Sequence, residues 1–440
     1  MQTSARILLA VLMLLAVAAT ASAQTDVVLT TEEQSLHQAR EQAEAASMRP
    51  GESDSLRFVV RGVVRDASGG KALDAVAVTI PGTSYATVTN KDGSFVIKSD
   101  IEPKYVNFTL LGYNSQTLPV TGQDLKVRLT RGSIELTPAT VISGDPLQIL
   151  LFAISRIEPN SPQHPELFDC FYRETVQKRQ RFIYVSEAVT KMYKAASSNI
   201  FGRDRAAVVK SRLLTSPRVS DTLGVKVMGG PVMAVDLDMV KQRDLVFDES
   251  QLSSYRLETL LPEVIDGRLQ FVIGFSPAVE EDFALHYGKV YIDQMTYAIS
   301  RLETSLDVSD RAKATRAMLV RKPAGLNFRP KEMWLEINYK PEADGKWRLS
   351  YLRTRFRFNC DWRKRLLYTD YTAVSEMVVT NRYTGADAVP IQRADEFRST
   401  YSLADKTQFY ADPAFWDAYN IIEPTVTLEH AIGKLKKAED

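Results

Sequence analysis

The sequence predicts a mainly β protein: an N-terminal β-sandwich of short strands, then a larger curved antiparallel β-sheet domain with a few short helices. Three observations favour this fold class. Short apolar runs with a period of two fill residues 57–131. Turn residues such as Pro81-Gly82 separate these runs. Longer alternating runs continue through residues 168–411, where short turns between sequential strands favour antiparallel pairing in one sheet of about ten strands.

The first β region contains about seven short runs, and strands of this length bury their apolar faces best in a two-layer sandwich. Val76, Val78 and Ile80 alternate with small or polar residues, as in a strand with one buried face. Residues 90–93, Asn-Lys-Asp-Gly, predict a tight turn. Their similarity to a calcium loop is partial, because Val88 stands where the first acidic ligand should be.

Five pieces of this region keep a characteristic order: residues 62–66, 72–78, 82–83, 89–95 and 111–113. Together they resemble the carboxypeptidase-regulatory-like domain, a transthyretin-like sandwich that is similar to the N-terminal extension of many TonB-dependent outer-membrane transporters. In that family the module is accessory and carries no catalytic residues. The resemblance therefore implies binding, spacing or docking, and not peptidase chemistry.

The N-terminus has the features of a secretory signal peptide. Arg6 supplies the positive start, residues 7–19 the apolar centre and Ala21-Ser22-Ala23 the cleavage site. We expect residues 1–23 to be removed and the mature chain to contain no transmembrane span. Together with the resemblance, this predicts an exported protein in the periplasm or at the outer membrane of a Gram-negative bacterium.

The remaining chain divides into a flexible leader (24–56), a linker with a strand and a helix (132–167), the sheet domain (168–411) and an aromatic tail with a helix (412–440). Asp145 and Pro146 predict the N-cap and first turn of the linker helix. A short helix is expected at residues 232–240 and a strand at residues 252–260.

The C-terminal region resembles an uncharacterised β-rich region that follows the regulatory-like module in a group of exported bacterial proteins. The residues that carry this resemblance are 170–174, 229–231, 288–293, 296–299, 415–416 and 419–424. Residues 288–303 are also similar to the curved sheets of periplasmic lipoprotein carriers. Both resemblances concern architecture and imply no activity.

No catalytic, cofactor-binding or metal-ligating residue set is predicted, and no cofactor is expected. His37, His164, His286 and His430 are scattered along the chain, and we expect each to be solvated. The charges balance, with 55 Lys and Arg against 54 Asp and Glu, so nothing in the net charge predicts nucleic-acid binding.

Two pairs of residues leave alternatives open. Glu174 and Glu187 would be paired carboxylates if they faced each other across a hairpin, although the neighbouring Arg173 favours an ion-paired strand edge. Cys170 and Cys360 would form one disulfide in an exported protein, or remain two separate buried thiols.

One local charge cluster predicts either a solvent-facing strand or a docking surface. Arg353, Arg355 and Arg357 lie on one face of a strand, with Trp362 and Arg363 at its turn. Such a face suits an acidic partner or a lipid head group.

Three functions follow from these observations. The first is a non-enzymatic cell-envelope protein that binds or docks a partner protein or glycan. The alternative is a periplasmic carrier that holds a hydrophobic or lipid-like ligand against the concave sheet. The third is a hydrolase, which needs two or more titratable residues converging in one cleft.

Overall fold

The computed structural model describes residues 56–436, apart from residues 123, 133–143, 200, 219–220, 222–223, 228–229, 241–248, 363–367, 399–400, 402 and 404–415. Two β structures follow each other along the chain, a sandwich of short strands and a sheet of ten longer strands. The protein is therefore mainly β, as the sequence predicts. The predicted signal peptide, nearly all of the leader and the predicted linker strand lie outside the described residues.

The sandwich consists of two sheets with the orders β4-β1-β7 and β3-β2-β5-β6. Its strands are β1 (Phe58–Asp66), β2 (Ala77–Thr79), β3 (Ala86–Val88), β4 (Ser94–Ser99), β5 (Tyr105–Thr109), β6 (Gln116–Pro119) and β7 (Leu125–Leu129). The alternating residues Val76, Val78 and Ile80 are buried between the two sheets, together with Phe95 and Phe108. The period-two pattern therefore identifies this core correctly.

The turn before β4 shows why the sequence uses Asn and Gly there. The Asn90 side-chain oxygen accepts hydrogen bonds from the backbone N–H groups of Asp92 and Ser94. Gly93 has a φ of +77°, and a Cβ atom there would lie 2.4 Å from the carbonyl oxygen of Val64. Only glycine meets both conditions without strain.

The large sheet has the strand order β10-β9-β8-β19-β18-β17-β15-β14-β13-β12, and its neighbouring strands pair antiparallel. Its strands are β8 (Glu166–Lys178), β9 (Arg181–Lys194), β10 (Arg205–Thr215), β12 (Tyr255–Ile265), β13 (Arg268–Pro277), β14 (His286–Asp293), β15 (Ile299–Leu306), β17 (Leu326–Pro341), β18 (Trp347–Trp362) and β19 (Thr369–Thr384). β11 (Lys226–Val227) and β16 (Leu319–Arg321) form a separate pair.

The helices are short: α1 (Pro146–Ser155), α2 (Ile157–Asn160), α3 (Met233–Asp236), α4 (Arg311–Met318) and α5 (Val426–Lys436). Asp145 caps α1 by accepting a hydrogen bond from the backbone N–H of Leu147, as its position before Pro146 predicts. None of the helices in the described part of the chain has the length and apolar character needed to cross a membrane.

The two faces of the large sheet have different neighbours. The inner face bears Tyr172, Leu352 and Met377 and is covered by α1, α2 and α3. The outer face bears Phe171, Tyr351 and Val378 and packs against the sandwich and a C-terminal segment, residues 416–425, which we call the strap. Because side chains alternate along each strand, neighbours in sequence serve opposite layers.

Two expected elements differ in the structure. The predicted helix at residues 232–240 is only one turn, Met233–Asp236, because the Asp238 carboxylate accepts from the backbone N–H of Val240 and forms a turn instead. The predicted strand at residues 252–260 begins later. A 3-10 helix, Glu249–Ser254, precedes it, and β12 starts at Tyr255.

Candidate functional site

The strap joins the sandwich to the large sheet. The Asn420 amide pairs with the backbone of Lys98, and the Thr87 hydroxyl donates to the carbonyl oxygen of Ile421 at 2.9 Å. On the other side, the Arg173 guanidinium donates to the carbonyl oxygen of Ile422 at 2.6 Å. The strap therefore holds strands of both β structures with directed hydrogen bonds.

Behind the strap lies a buried ion cluster. Arg173 and Glu187 are directly opposite each other on β8 and β9, and their side chains approach to 2.7 Å. Arg212 on β10 reaches the other oxygen of Glu187 at 2.5 Å. Burial by itself would raise the pKa of Glu187, but the two guanidinium groups outweigh it and hold that pKa below its ordinary value.

The possible pairing of Glu174 with Glu187 is wrong. Consecutive residues of a strand point to opposite faces of the sheet. Arg173 lies on the outer face, so Glu174 lies on the inner face. Glu174 accepts a hydrogen bond from the Tyr172 hydroxyl, and burial raises its pKa. The alternative of an ion-paired strand edge at Glu174 and Arg173 is wrong as well, because Arg173 pairs with Glu187 and β8 lies inside the sheet, between β9 and β19.

A first pocket, the interlayer pocket, lies between the helices and the inner face. The empty space in and at the mouth of this pocket measures about 310 Å³. Its apolar lining comes from α2, the segment after α3, and strands β15, β17 and β18: Ile157, Met239, Val240, Ile299, Tyr339 and Trp347. Asn160 and Ser161 add polar groups at one side.

A second pocket, the charged pocket, adjoins the first and shares Ser161, Val240 and Trp347 with it. It encloses about 340 Å³, open solvent included, and its ionisable lining residues are His164, Glu166, Lys194, Asp238 and Arg348. Titratable residues therefore converge in one cleft, as a hydrolase requires.

The charges of this pocket are compensated inside the protein. The Arg348 guanidinium donates to both carboxylate oxygens of Glu166, at 2.7 and 2.9 Å. Lys194 pairs with Asp238, which also accepts from the Tyr339 hydroxyl at 2.9 Å. These ion-paired side chains link β8, β9 and β18. Because each charge already has a partner, they are less suited to proton transfer.

A third pocket, the polar groove, lies on the outer face between the turn at Asn90, strands β8 and β19, and the strap. It encloses about 580 Å³, open solvent included. Most of its lining residues carry hydroxyl, amide or charged groups, and four supply apolar surface: Phe182, Val374, Ile422 and Leu428. Among the described residues, no group of three or more His, Cys, Asp and Glu could hold a metal ion.

The predicted docking residues differ in exposure and in the residues they contact. Arg353 is turned to the sandwich, where it pairs with Asp74 at 2.8 Å and with Glu376 at 3.5 Å. Arg355 and Arg357 share Glu332, and about half of each side chain is exposed. Trp362 ends β18, and Arg363 lies outside the described residues.

The histidines do not come together. His164 and His430 are exposed, as expected, and His37 lies outside the described residues. The expectation for His286 is wrong, because it is partly buried, its ring faces the Thr304 hydroxyl at 3.3 Å, and burial lowers its pKa to about 4.

The two cysteines remain separate. Cys170 and Cys360 are free and buried in different apolar clusters of the inner face. Burial raises the pKa of Cys360 to about 12 and that of Cys170 further. The interpretation as two buried thiols therefore describes this structure.

Sequence reasoning missed the residues that form the polar groove, among them Thr175, Gln177, Thr372 and Phe182. In sequence they are ordinary alternating residues of exposed strand faces. The strand register places Gln177 directly opposite both Thr372 and Phe182, on neighbouring strands. A correct strand pairing is the signal that would have found them.

Similarity to known proteins includes one family model and several solved structures of low sequence identity. No curated protein sequence matches the chain. Among solved structures, an outer membrane lipoprotein-sorting protein domain from Vibrio parahaemolyticus is 13% identical and has a TM-score of 0.25; the match covers 57% of this chain and 95% of that one.

Two further structures show a similar extent of overlap. A DUF1329 family protein from Desulfovibrio piger is 10% identical with a TM-score of 0.26, covering 55% of this chain and 95% of that one. A LolA superfamily protein from Nitrosomonas europaea is 12% identical with a TM-score of 0.21, covering 56% and 96%. The family model of the CarboxypepD_reg-like domain matches residues 60–141. The chain therefore contains a CarboxypepD_reg-like domain, and a β-rich region of ten sheet strands follows it.

Proposed function

We propose that this chain is an exported envelope protein that binds and carries a hydrophobic, lipid-like ligand between its helices and the inner face of the large sheet. The interlayer pocket is the observation that carries the proposal. Ligand pockets of proteins are mostly apolar with a few polar groups that orient the ligand. The lining of Ile157, Met239, Ile299 and Trp347 beside Asn160 has this composition.

The helix layer would act as the cover of this site. The inner face is not an open concave surface, because α1 and α2 lie on it. Among the described residues, directed bonds hold the end of this layer at α2 and just after it. The Asn160 amide donates to the carbonyl oxygen of Thr296, Lys346 donates to that of Pro159, and residues 162–163 bond to Ser197. A cover held mainly by apolar packing can shift to admit a flexible chain, since apolar contacts are non-directional.

A filling variant tests the proposal. Ala298 lines the pocket and is 2% exposed, so Ala298→Trp would occupy the space a ligand needs. Val240→Trp, at the junction of the two inner pockets, provides a second filling variant at a less buried position. Thr121→Trp, on an exposed sandwich loop, is the matched control.

The measurement is binding of a fluorescent long-chain fatty acid, together with mass spectrometry of lipids that co-purify with the full chain. We expect both filling variants to weaken probe binding at least about tenfold, or ~1.4 kcal/mol, whereas Thr121→Trp binds normally. Equal binding by all folded variants, or none by the natural chain, would exclude the pocket as the ligand site.

A second proposed function is docking of an acidic envelope partner at Arg355 and Arg357. Both side chains are about half exposed, and the Arg355 guanidinium lies over the ring of Trp334, 5.1 Å from its centroid. Arg and Trp are enriched where binding energy concentrates in interfaces. Capture of a partner from envelope extract, lost on Arg355→Glu with Arg357→Glu and retained with Lys126→Glu on the sandwich, would support this function. Equal capture by all variants would exclude it.

A further inference from the structure

The polar groove on the outer face is separate from the proposed carrier site, because the large sheet itself lies between them. Strands β8 and β19 form its floor, and the strap and the start of α5 form one wall. The turn at Asn90 closes it from the sandwich side. Both β structures and the strap therefore contribute to one site.

Two of the charged groups in the groove are already compensated within the protein. Arg173 is held by Glu187 and by carbonyl oxygens of the strap. Glu376 accepts from the Tyr351 hydroxyl at 3.0 Å and faces Arg353. Of the remaining charges, Lys91 is positive and Glu423 carries an acidic side chain, so the groove offers no strong net charge to an ion.

Two uncharged polar side chains and one aromatic ring form a continuous row. Thr372 on β19, Gln177 on β8 and Phe182 on β9 lie side by side across three strands. Thr175 precedes Gln177 by two residues on the same face of β8. Within the described part of the chain, the side chains of Thr175, Gln177 and Thr372 form no hydrogen bond to protein.

These groups match a specific ligand chemistry. Hydroxyl and amide side chains both donate and accept hydrogen bonds, as sugar hydroxyls do. A partly buried aromatic ring such as Phe182 offers an apolar surface to the C–H face of a sugar ring. The Glu423 carboxylate adds an acceptor at the opposite wall.

From this arrangement we propose that the polar groove binds a short stretch of neutral oligosaccharide. An anion such as phosphate would meet Lys91 but also the carboxylates of Glu376 and Glu423, and Arg173 is committed to Glu187. An acidic peptide would face Glu376 and Glu423 in the groove. A neutral, hydroxyl-rich chain meets neither obstacle.

The test uses the full chain and calorimetric titration with neutral hexose and N-acetylhexosamine oligomers, tetramers to hexamers, in α and β linkage. The variants are Gln177→Ala, Thr372→Ala and Phe182→Ala, with Thr121→Ala on the exposed sandwich loop as the matched control. We expect at least one oligomer to bind, with each groove variant weakening it about tenfold and the control leaving it unchanged. Far-UV circular dichroism verifies that each variant is folded.

Three outcomes would overturn the proposal. They are no binding of any neutral oligomer, binding that the groove variants leave unchanged, and groove-dependent binding of inorganic phosphate or an acidic peptide instead. Ala298→Trp separates this site from the carrier site, since it should abolish fatty-acid binding and leave oligosaccharide binding intact. The two binding assays therefore test the carrier site and the polar groove independently, and one proposal can fail while the other holds.

Discussion

The side chain of Asn420 forms hydrogen bonds to both backbone groups of Lys98. The Lys98 N–H donates to its Oδ1 at 2.7 Å, and its Nδ2 donates to the Lys98 carbonyl oxygen at 2.9 Å. Lys98 lies on β4, an outer strand of its sheet, where backbone groups lack a neighbouring strand. One amide thus takes the place of a paired strand residue.

Replacing Asn420 by Ala should lower the free energy of unfolding by about 2–4 kcal/mol, because two backbone groups lose their partners near the interface with the strap. Chemical denaturation followed by circular dichroism measures the change. Asn420→Asp keeps the acceptor for the Lys98 N–H but sets a buried carboxylate oxygen against the Lys98 carbonyl oxygen, so it should destabilise the protein at least as much as Asn420→Ala. Asn327→Ala, on a partly exposed strand position, is the control, and an equal loss there would contradict this role for Asn420.

Glu187→Ala should be strongly destabilising, by about 3–5 kcal/mol, because Arg173 and Arg212 would remain buried without their common partner. Glu187→Gln keeps the shape but removes the charge and should cost less. Thermal and urea unfolding of both variants measure these differences. Glu332→Ala, which removes a carboxylate from the more exposed Arg355 and Arg357, is the matched control and should cost under about 1 kcal/mol.

The same carboxylate predicts a dependence on pH. The pKa of Glu187 is lower in the folded protein than in the unfolded chain. The carboxylate therefore contributes fully to the free energy of unfolding at a pH above its pKa in the unfolded chain. This stabilisation is lost as the pH falls from about 4.5 through the lower pKa that Glu187 has in the folded protein. In unfolding experiments across this range, the free energy of unfolding should fall less steeply with decreasing pH for Glu187→Gln than for the natural chain. Equal slopes for the two proteins would contradict this role of Glu187.

His286 acts in a higher pH window. Burial lowers its pKa to about 4, whereas an unfolded histidine titrates near 6.5. Between these values only the unfolded chain binds the proton, so stability should fall by about 1–3 kcal/mol as pH drops through this window. His286→Gln should remove that part of the slope. NMR titration gives the pKa of His286 directly, and a value above 6 would contradict the prediction.

The two thiols should be unreactive in the folded protein. Cys170 and Cys360 are 0% and 3% exposed, and burial disfavours the thiolate that reacts with disulfide reagents. Ellman's reagent should therefore label neither cysteine until denaturant is added, after which both react. A surface cysteine introduced as Thr121→Cys provides the positive control. Rapid labelling of the native thiols would show that the inner layer opens readily.

Much of the fold follows from local patterns in the sequence. Alternation places Arg353, Arg355 and Arg357 on one face of β18, and the structure confirms it, because the period of a strand is a local property. The seven sandwich strands and the ten-stranded sheet are predicted for the same reason. The cap at Asp145 is equally local.

What the sequence did not predict depends on residues far apart in the chain. Arg353 pairs with Asp74, which lies 279 positions away, so a strand that reads as a solvent-facing docking surface is partly an internal contact. His286 is shielded where β14 packs beside Tyr255, whose hydroxyl accepts from the His286 backbone N–H. The row of Thr372, Gln177 and Phe182 exists only once the register of three strands is known.

The strap has a consequence for the order in which the protein acquires its structure. The sandwich is synthesised early, yet Asn420 reaches Lys98 across 322 positions of sequence. A nascent chain therefore carries the outer edges of β3 and β4 unpaired until the strap has been synthesised, and unpaired strand edges can pair with other chains. The native contacts of the strap cannot protect these edges before the strap exists, and a chaperone that recognises extended backbone would be suited to that task.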